Sequence, residues 1–250
     1  MRSYASHYGA IRMEATLTPE QFEGLRRLDT CAVANAIETF NVRLRNEGFA
    51  HNSGVHSIFP QQPPMLGYAV PGRIRSATPP ISPSLPPPRT LSFSHRTDWW
   101  DYILTIPTPR VVVLQDVDSS PGVGAFMGEV HSTICRALGC VGYVTNGAVR
   151  DLNAIEPTGF HLFAGHIAIS HSYVHIVEFG EPVEIAGLRV RPGSLIHGDR
   201  HGVQIVPKNI ASQIPAVVER HRQEERRIIA ICQSPDFSLE KLRDIVKTTP

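Results

Sequence analysis

The sequence contains no long apolar run, no paired-cysteine motif and no excess of charge of either sign. No stretch among its 250 residues reaches the ~18 consecutive apolar residues of a membrane-spanning helix. The N-terminus has no apolar segment followed by a cleavage site, so no secretory signal is predicted. Lys and Arg number 24 and Asp and Glu 23, which leaves a net charge of +1 and no basic surface for nucleic acid or anionic membrane. We therefore expect a cytoplasmic protein with neither kind of partner.

The four cysteines have no Cys-x-x-Cys spacing. This argues against a structural zinc site and fits reduced thiols. Free cysteine behaves as a small hydrophobe, so we expect all four to be buried and inert. They are Cys31, Cys135, Cys140 and Cys232.

A hydrophobic content of 42% over 250 residues is enough for a substantial core. We predict a single domain over residues 1–250, with an N-terminal arm at about 1–17 and C-terminal helices at about 214–250. Residues 79–90 are so rich in proline that they predict an extended surface loop.

Apolar periodicity alternates between helices and strands and predicts an α/β fold with a central sheet. Arg110–Asp116 reads as a buried strand with an acid at its carboxyl end, where α/β proteins collect ligands. We predict a helix that starts at Thr18-Pro19, a second that follows Asp29 or Thr30, and a third at about 130–138. We also predict a strand at 141–145, a turn at Asn146-Gly147 and a hairpin about Ala186-Gly187. Residues 167–177 have strand composition, which would put His171, Tyr173 and His175 on one face if the run is continuous.

The segment from Gly128 to Asp151 holds the residues best suited to chemistry. The N-terminus of the predicted helix, at Gly128, Glu129, Val130 and His131, offers backbone N–H groups that bind a carboxylate or phosphate. Arg150 offers a bidentate fork for a carboxylate, and Asp151 an oxygen ligand for a hard cation. Together they suit a small anionic 2-oxo acid. The alternative is an ordinary surface ion pair between Arg150 and Asp151.

Two other patterns permit functional interpretations. The glycines at 122–128 suggest a dinucleotide loop, but they begin six residues after Asp116, and no acid closes the following strand. We expect them instead to let the backbone approach a small ligand. A group of histidines could bind a transition metal or act as a base, although an ordinary hydrogen-bonded histidine is the favoured interpretation of any one of them. It comprises His161, His166, His171, His175, His197 and His201, with His197 and His201 flanking Asp199.

Three motifs resemble the RraA-like family of class II 4-hydroxy-4-methyl-2-oxoglutarate and 4-carboxy-4-hydroxy-2-oxoadipate aldolases, which also decarboxylate oxaloacetate. They are Gly128-Glu129, the Arg-Ala-Leu-Gly of 136–139 and the run from Asn146 to Asp151. The resemblance implies a swivelling β/β/α fold and a homotrimer or homohexamer. It also implies a lyase that forms a pyruvate-type enolate with Mg²⁺ or Mn²⁺. Asp151 would hold the metal, while Arg150 and the amides of 128–131 would hold the 2-oxo acid.

The sequence departs from the family pattern at Ala154, where an acid commonly stands three residues after the Asp. Family aldolases also borrow an acid from a neighbouring subunit's C-terminal region, for which Glu219, Glu224 and Glu225 are available. The departure leaves room for a lyase acting on a different hydroxy or oxo acid. The alternative from another class is a non-catalytic regulator of an RNA-degrading endonuclease, the role of the family's namesake.

Overall fold

The computed structural model describes residues 17–51, 53–80 and 97–248. The predicted arm at 1–17 and the Pro-rich loop at 79–90 fall almost wholly outside these residues. Within them, no helix is long and apolar enough to cross a membrane.

Two capped helices open the described chain. Helix α1 (Pro19–Arg26) begins after Thr18, whose hydroxyl accepts a hydrogen bond from Gln21 N (3.3 Å) while the Gln21 side chain accepts one from Thr18 N (3.0 Å). Asp29 accepts a hydrogen bond from Ala32 N (2.8 Å) and starts α2 (Thr30–Glu38). Both caps satisfy amides that a helix leaves unpaired at its start, and both helices were predicted from these residues.

A mixed sheet forms the centre of the molecule. Among the described residues it contains nine strands, and its main path runs β1-β6-β5-β3-β2-β10-β11. Strands β2, β3, β5 and β6 are mutually parallel in the order β2-β3-β5-β6, while β10 joins β2 antiparallel. Strand β4 pairs with β5, and β7 with β2. The strands are β1 (His56–Ser57), β2 (Met65–Arg75), β3 (Arg110–Asp116), β4 (Ala125–Met127), β5 (Cys140–Val149), β6 (His161–Ile167), β7 (His175–Phe179), β10 (Leu195–Asp199) and β11 (Gly202–Val206).

Both faces of the sheet are covered, which produces three layers. Along β3, Val112 and Leu114 point into the core beneath the helices, whereas Val111 and Val113 point into a second core. The hairpin of β8 (Val183–Ile185) and β9 (Leu188–Val190) closes that second core. A strand buried on both faces reads as a continuous apolar run, as β3 does. The layers confirm the predicted α/β fold with its central sheet.

The remaining helices lie on the helical face or at the C-terminus. They are α3 (Asp98–Thr105), α4 (Glu129–Ala137), the short α5 (Leu152–Ile155), α6 (Ile214–Gln233) and α7 (Leu239–Thr248). Helix α6 buries Ile214, Val217 and Val218. Beyond Val218, no described side chain of α6 is buried.

The predicted turn at Asn146-Gly147 is wrong, because β5 continues through it to Val149. The pairing of β5 with β6 shifts between Thr145 and Ala148, so these residues form an irregularity within the strand. The Asn146 side chain bonds the backbone of the neighbouring strand at Asp116 in both directions (2.8 and 2.9 Å). The Asn-Gly pair therefore serves a contact between strands, which local turn propensity does not reveal.

The continuous strand predicted at 167–177 is also wrong. Strand β6 ends at Ile167 and β7 begins at His175, with Ser172 between them in a left-handed conformation (φ 48°). His171, Tyr173 and His175 therefore do not share one strand face. The predicted hairpin about Ala186-Gly187 is confirmed, and both residues have positive φ (47° and 83°), as a tight two-residue turn requires.

The prediction of four buried cysteines is half correct. Cys135 and Cys140 are buried, but Cys31 and Cys232 are exposed. Cys31 lies on the exposed side of the first turn of α2, in which Thr30 and Val33 are buried, and Cys232 lies in the part of α6 without buried side chains. A hydrogen bond with Cys140, together with burial, raises the pKa of the Cys135 thiol well above its usual range, which fits an inert pair.

Candidate active site

The sheet brings the two ends of the Gly128–Asp151 segment together. Strand β4 lies parallel to the last residues of β5, pairing Ala125 with Ala148. Arg150 N then donates to Met127 O (3.0 Å). Gly128, directly after β4, thus adjoins Arg150 and Asp151, directly after β5. The site residues predicted at the two ends of this segment are therefore neighbours, at the end of the sheet where β4 and β5 finish.

The Asp151 carboxylate lies at the N-terminus of α4. Its Oδ2 accepts a hydrogen bond from Glu129 N (3.0 Å) and lies 3.4 Å from Arg150 Nε. About one third of each side chain is exposed, 33% for Arg150 and 36% for Asp151. No hydrogen bond from any described residue reaches Oδ1 of Asp151. One carboxylate oxygen is thus held by the protein, and the other is available to a ligand.

The backbone of Asp151 supports this placement. Its φ and ψ of 58° and 38° are left-handed, a conformation that non-glycine residues seldom adopt and that concentrates at functional sites. Asp151 O accepts hydrogen bonds from Ala154 N (3.1 Å) and Ile155 N (3.2 Å). The short helix α5 therefore starts at Asp151 and fixes its orientation from the C-terminal side.

Gly128 is where the backbone approaches the carboxylate most closely. A Cβ at this position would lie 2.5 Å from Asp151 Oδ2 and 3.2 Å from both Cγ and Nε of Arg150. Its φ of −138° is ordinary extended backbone, so space alone calls for glycine here. At Gly128 the groups that the backbone approaches are the protein's own Arg150 and Asp151; the expectation that the glycines at 122–128 let the backbone approach a small ligand stays a prediction.

His131, two residues after Glu129 on α4, is partly shielded from solvent. Its ring stacks on Phe126, with centroids 4.4 Å apart and an interplanar angle of 26°. Burial lowers the pKa of His131 to about 4, and the charge of Arg150 contributes to the same effect. At neutral pH the imidazole is therefore uncharged. Val130, on the same helix turn, is exposed (55%).

A buried acid lies behind the site, at the carboxyl end of β3. Asp116 is only 2% exposed; its Oδ2 accepts hydrogen bonds from Gly122 N (2.9 Å) and Ser76 Oγ (3.3 Å). Burial raises the pKa of Asp116. The carboxylate anchors the loop 117–124, which leads into β4 and α4. The position of Asp116 at a strand end could be predicted, but its partners in the loop could not.

The histidines do not form a metal centre. Within the described residues, no group of three or more His, Cys, Asp or Glu side chains could hold a metal ion. His197 is fully buried, with Nδ1 3.5 Å from Thr30 Oγ1, whereas His201 is exposed, with Nδ1 3.1 Å from Asp199 Oδ1. The ordinary structural interpretation fits these two residues, including their shared neighbour Asp199, whose Oδ2 accepts a hydrogen bond from Thr30 N (2.8 Å).

Comparisons with known proteins agree on the family. The family model described as "RraA-like: Aldolase/RraA" matches residues 30–205. A protein of Halalkalibacterium halodurans named "Putative 4-hydroxy-4-methyl-2-oxoglutarate aldolase" is 34% identical over 85 residues, which is 34% of this chain and 40% of that protein. The aligned part thus spans less than half of that relative's length.

Two solved structures share the fold. An uncharacterized protein from Pseudomonas syringae superposes with a TM-score of 0.68 at 21% identity, covering 96% of this chain and 99% of that one. Streptomyces coelicolor RraAS2, described as an unusual member of the RNase ES inhibitor RraA protein family, gives 0.64 at 17% identity, covering 86% and 98%. The family match over 30–205, which includes the whole of Gly128–Asp151, identifies this chain as a member of the RraA-like family.

Proposed function

We propose that this chain is a cytoplasmic, divalent-metal-dependent carbon–carbon lyase that acts on a 2-oxo acid through a pyruvate-type enolate. The reaction would be retro-aldol cleavage of a substrate like 4-hydroxy-4-methyl-2-oxoglutarate, decarboxylation of oxaloacetate, or both. The observation that carries the proposal is the arrangement of Asp151 at the start of α4, where Oδ2 is held by Glu129 N and lies near Arg150 Nε while Oδ1 accepts no hydrogen bond from any described residue.

The open carboxylate oxygen fits a hard cation such as Mg²⁺ or Mn²⁺ better than zinc. Asp151 is a single oxygen ligand, and the described residues offer no set of three ligands around it. Mg²⁺ commonly takes one or two protein carboxylates and keeps several waters, whereas zinc sites use three or four protein ligands. Asp151 would therefore hold Mg²⁺ or Mn²⁺ with water and substrate oxygens completing the shell. When bound, such a metal polarises the 2-oxo group and stabilises negative charge on the adjacent carbon.

The protein's own groups would bind and orient the oxo acid. The Arg150 guanidinium is one third exposed and can pair with a carboxylate. Because Glu129 N already donates to Asp151, the substrate would meet the next backbone N–H of the turn, that of Val130. The positive end of the α4 dipole favours an anion at the same place. His131, uncharged and partly shielded, would border the substrate without adding charge.

Ala154 makes the acceptor half of the substrate the least constrained part of the proposal. It lies one turn into α5 and is exposed, so it leaves open space where an acid is common in the family. An acceptor half that is larger or uncharged could be accommodated there, which makes a different hydroxy or oxo acid the second substrate class. The acids Glu219, Glu224 and Glu225 all lie on α6 beyond its last buried side chain, Val218, where a neighbouring subunit could use them.

A homotrimer or homohexamer is part of the proposal. Apolar side chains are exposed close to the site, including Ile167 (61%) and Ile169 (101%) at the end of β6. Exposed apolar side chains grouped beside a site are typical of contact surfaces. Light scattering of the purified chain measures the assembly directly, and a monomer would exclude this part of the proposal.

The test measures metal binding and pyruvate release separately. Mn²⁺ binding is followed by water-proton relaxation. Pyruvate released from oxaloacetate and from 4-hydroxy-4-methyl-2-oxoglutarate is followed by coupling to lactate dehydrogenase. The pyruvate assay is run with Mg²⁺ or Mn²⁺ and then with EDTA. Asp151→Ala should abolish both signals. Asp236→Ala, which removes an exposed carboxylate between α6 and α7, should leave both unchanged.

The possible results distinguish a lyase for another substrate, an endonuclease regulator and a non-specific effect of charge removal. Metal binding without pyruvate from either compound would favour a different hydroxy or oxo acid. Absence of metal binding in the folded wild-type chain would refute the lyase and favour the endonuclease regulator. Loss of both signals in Asp236→Ala as well would show that charge removal in general, not Asp151, is responsible.

A further inference from the structure

A groove of about 450 Å³ lies at the end of the sheet opposite the Arg150–Asp151 pair. Cys140 and Val141, at the start of β5, line the groove, whereas Arg150 and Asp151 follow the end of β5. Ten strand residues separate the two places, a distance of roughly 30 Å. The groove is therefore a separate feature, and its volume lies within the range of about 300–1,000 Å³ found for small-molecule pockets.

The floor of the groove is apolar. Leu66 and Phe160 are 1% exposed, and Met65 lies beside Leu66 at the start of β2. Phe22 of α1 covers one side and packs at a tilt against Tyr68, with centroids 6.2 Å apart. An apolar floor of this kind favours the flat or aliphatic body of an organic molecule, because its burial removes apolar surface from water.

The rim of the groove carries positive charge. Glu23 accepts hydrogen bonds from Arg26 Nε and Nη2 (both 2.8 Å) and from Arg27 Nε (2.8 Å), so its charge is already matched. Arg136, in the last turn of α4, is exposed and forms no ion pair with any residue in the described ranges. Among the charged residues that line the groove, the guanidinium groups of Arg26 and Arg136 against the carboxylate of Glu23 leave a local charge of +1 around an apolar floor.

His161 adds a neutral hydrogen-bonding group to the wall. It begins β6 and lines the groove. Burial lowers its pKa to about 4, with the nearby charge of Arg26 as a second cause. An uncharged imidazole can donate or accept a hydrogen bond without opposing the guanidinium groups.

We propose that this groove is a binding site for a small organic anion, a carboxylate on an apolar body, with Arg136 as its charge partner. The charge excess at the rim and the apolar floor favour this occupant over a stretch of polypeptide. The proposal is independent of the lyase activity, because none of the groove residues adjoins Asp151 in the sheet.

The test uses 2-naphthoate as the probe and its neutral amide, 2-naphthamide, as the matched control. Isothermal titration calorimetry of the full chain should show binding of naphthoate. The affinity of the wild type for naphthamide, and that of Arg136→Ala for naphthoate, should both be lower by roughly tenfold or more, as expected for loss of a charge-assisted hydrogen bond. Arg243→Ala, on exposed α7, is the matched guanidinium control and should bind like the wild type. Arg150→Ala should also bind normally, since its site lies at the other end of β5.

Several results would overturn the proposal. No binding by the folded full chain would show that the groove does not take small organic anions. If Arg150→Ala no longer bound naphthoate while Arg136→Ala still did, the binding site would be the candidate active site at Arg150 and Asp151, not the groove. Equal affinity for naphthoate and naphthamide would remove the role of charge.

Discussion

Replacing Gly128 with alanine tests the geometry of the candidate site more directly than removing a charged group. The new Cβ would lie 2.5 Å from Asp151 Oδ2, whereas ordinary contacts begin at 3.4 Å. The carboxylate or the start of α4 must therefore move by about 0.9 Å. The hydrogen bond from Glu129 N to Oδ2, now 3.0 Å long, would not survive a displacement of that size in the direction away from the helix.

The expected loss of stability is moderate. A hydrogen bond to a charged group contributes ~1.5–3 kcal/mol when well shielded, and the 36% exposure of the Asp151 side chain reduces this, so we expect Gly128→Ala to lower the free energy of unfolding by about 1 kcal/mol. Displacement of reacting groups by ~1 Å costs catalysis about 100-fold. Mn²⁺ affinity and the rate of pyruvate release should therefore fall much more than stability.

Gly24→Ala is the matched control. A Cβ at Gly24 would meet only Pro215 Cγ, at 3.9 Å, and the position lies inside α1, where alanine is favoured over glycine by ~0.5–1 kcal/mol. Urea unfolding should show that Gly24→Ala is as stable as the wild type or more so. A folded Gly128→Ala variant that keeps wild-type metal affinity and stability would refute the close approach, and with it the assignment of Asp151 as the ligand.

Two further predictions concern stability. Asn146→Ala removes both hydrogen bonds to the Asp116 backbone and leaves a half-buried N–H unpaired, so it should lower the free energy of urea unfolding by ~2–3 kcal/mol; the exposed Asn153→Ala should change it little, and equal effects would contradict the strand contact. His197 is fully buried, and burial lowers its pKa from 6.5 to about 4, so the unfolded chain binds the extra proton between these values. The stability that His197 contributes is complete above pH 6.5 and is lost as pH falls towards 4; in urea titrations, His197→Asn should flatten this part of the pH profile, and an unchanged slope would assign it to other groups.

Local patterns predicted most of the secondary structure, because the signals involved are short in range. The Thr18-Pro19 start of α1 and the Ala186-Gly187 hairpin depend on interactions within four residues. The run Arg110–Asp116 gave the bounds of β3 because a strand buried on both faces needs apolar residues at every position. These features could be read without knowledge of their neighbours in space.

The errors occurred where a distant partner determines the local structure. Asn146-Gly147 has the strongest short-range turn signal in the segment, but the backbone of Asp116, thirty residues earlier, binds the Asn146 side chain and keeps the strand extended. Residues 167–177 have strand composition, but Ala125 N, from β4, donates to Ser170 O within the loop that replaces the strand. In both cases the competing contact comes from a residue whose position no local pattern gives.

The candidate site depends both on residue types that the sequence shows and on contacts between residues distant in sequence. Residue types alone indicated that Asp151 could bind a cation and that the start of α4 could bind an anion. The structure adds that the two are not independent, since the first amide of α4 is already bonded to Asp151. The helix therefore acts first on the protein's own carboxylate, by holding one of its two oxygens. In the proposed lyase, a substrate anion would then depend on Arg150 and the second amide, so the charge of Arg150 would contribute more to binding than the helix terminus.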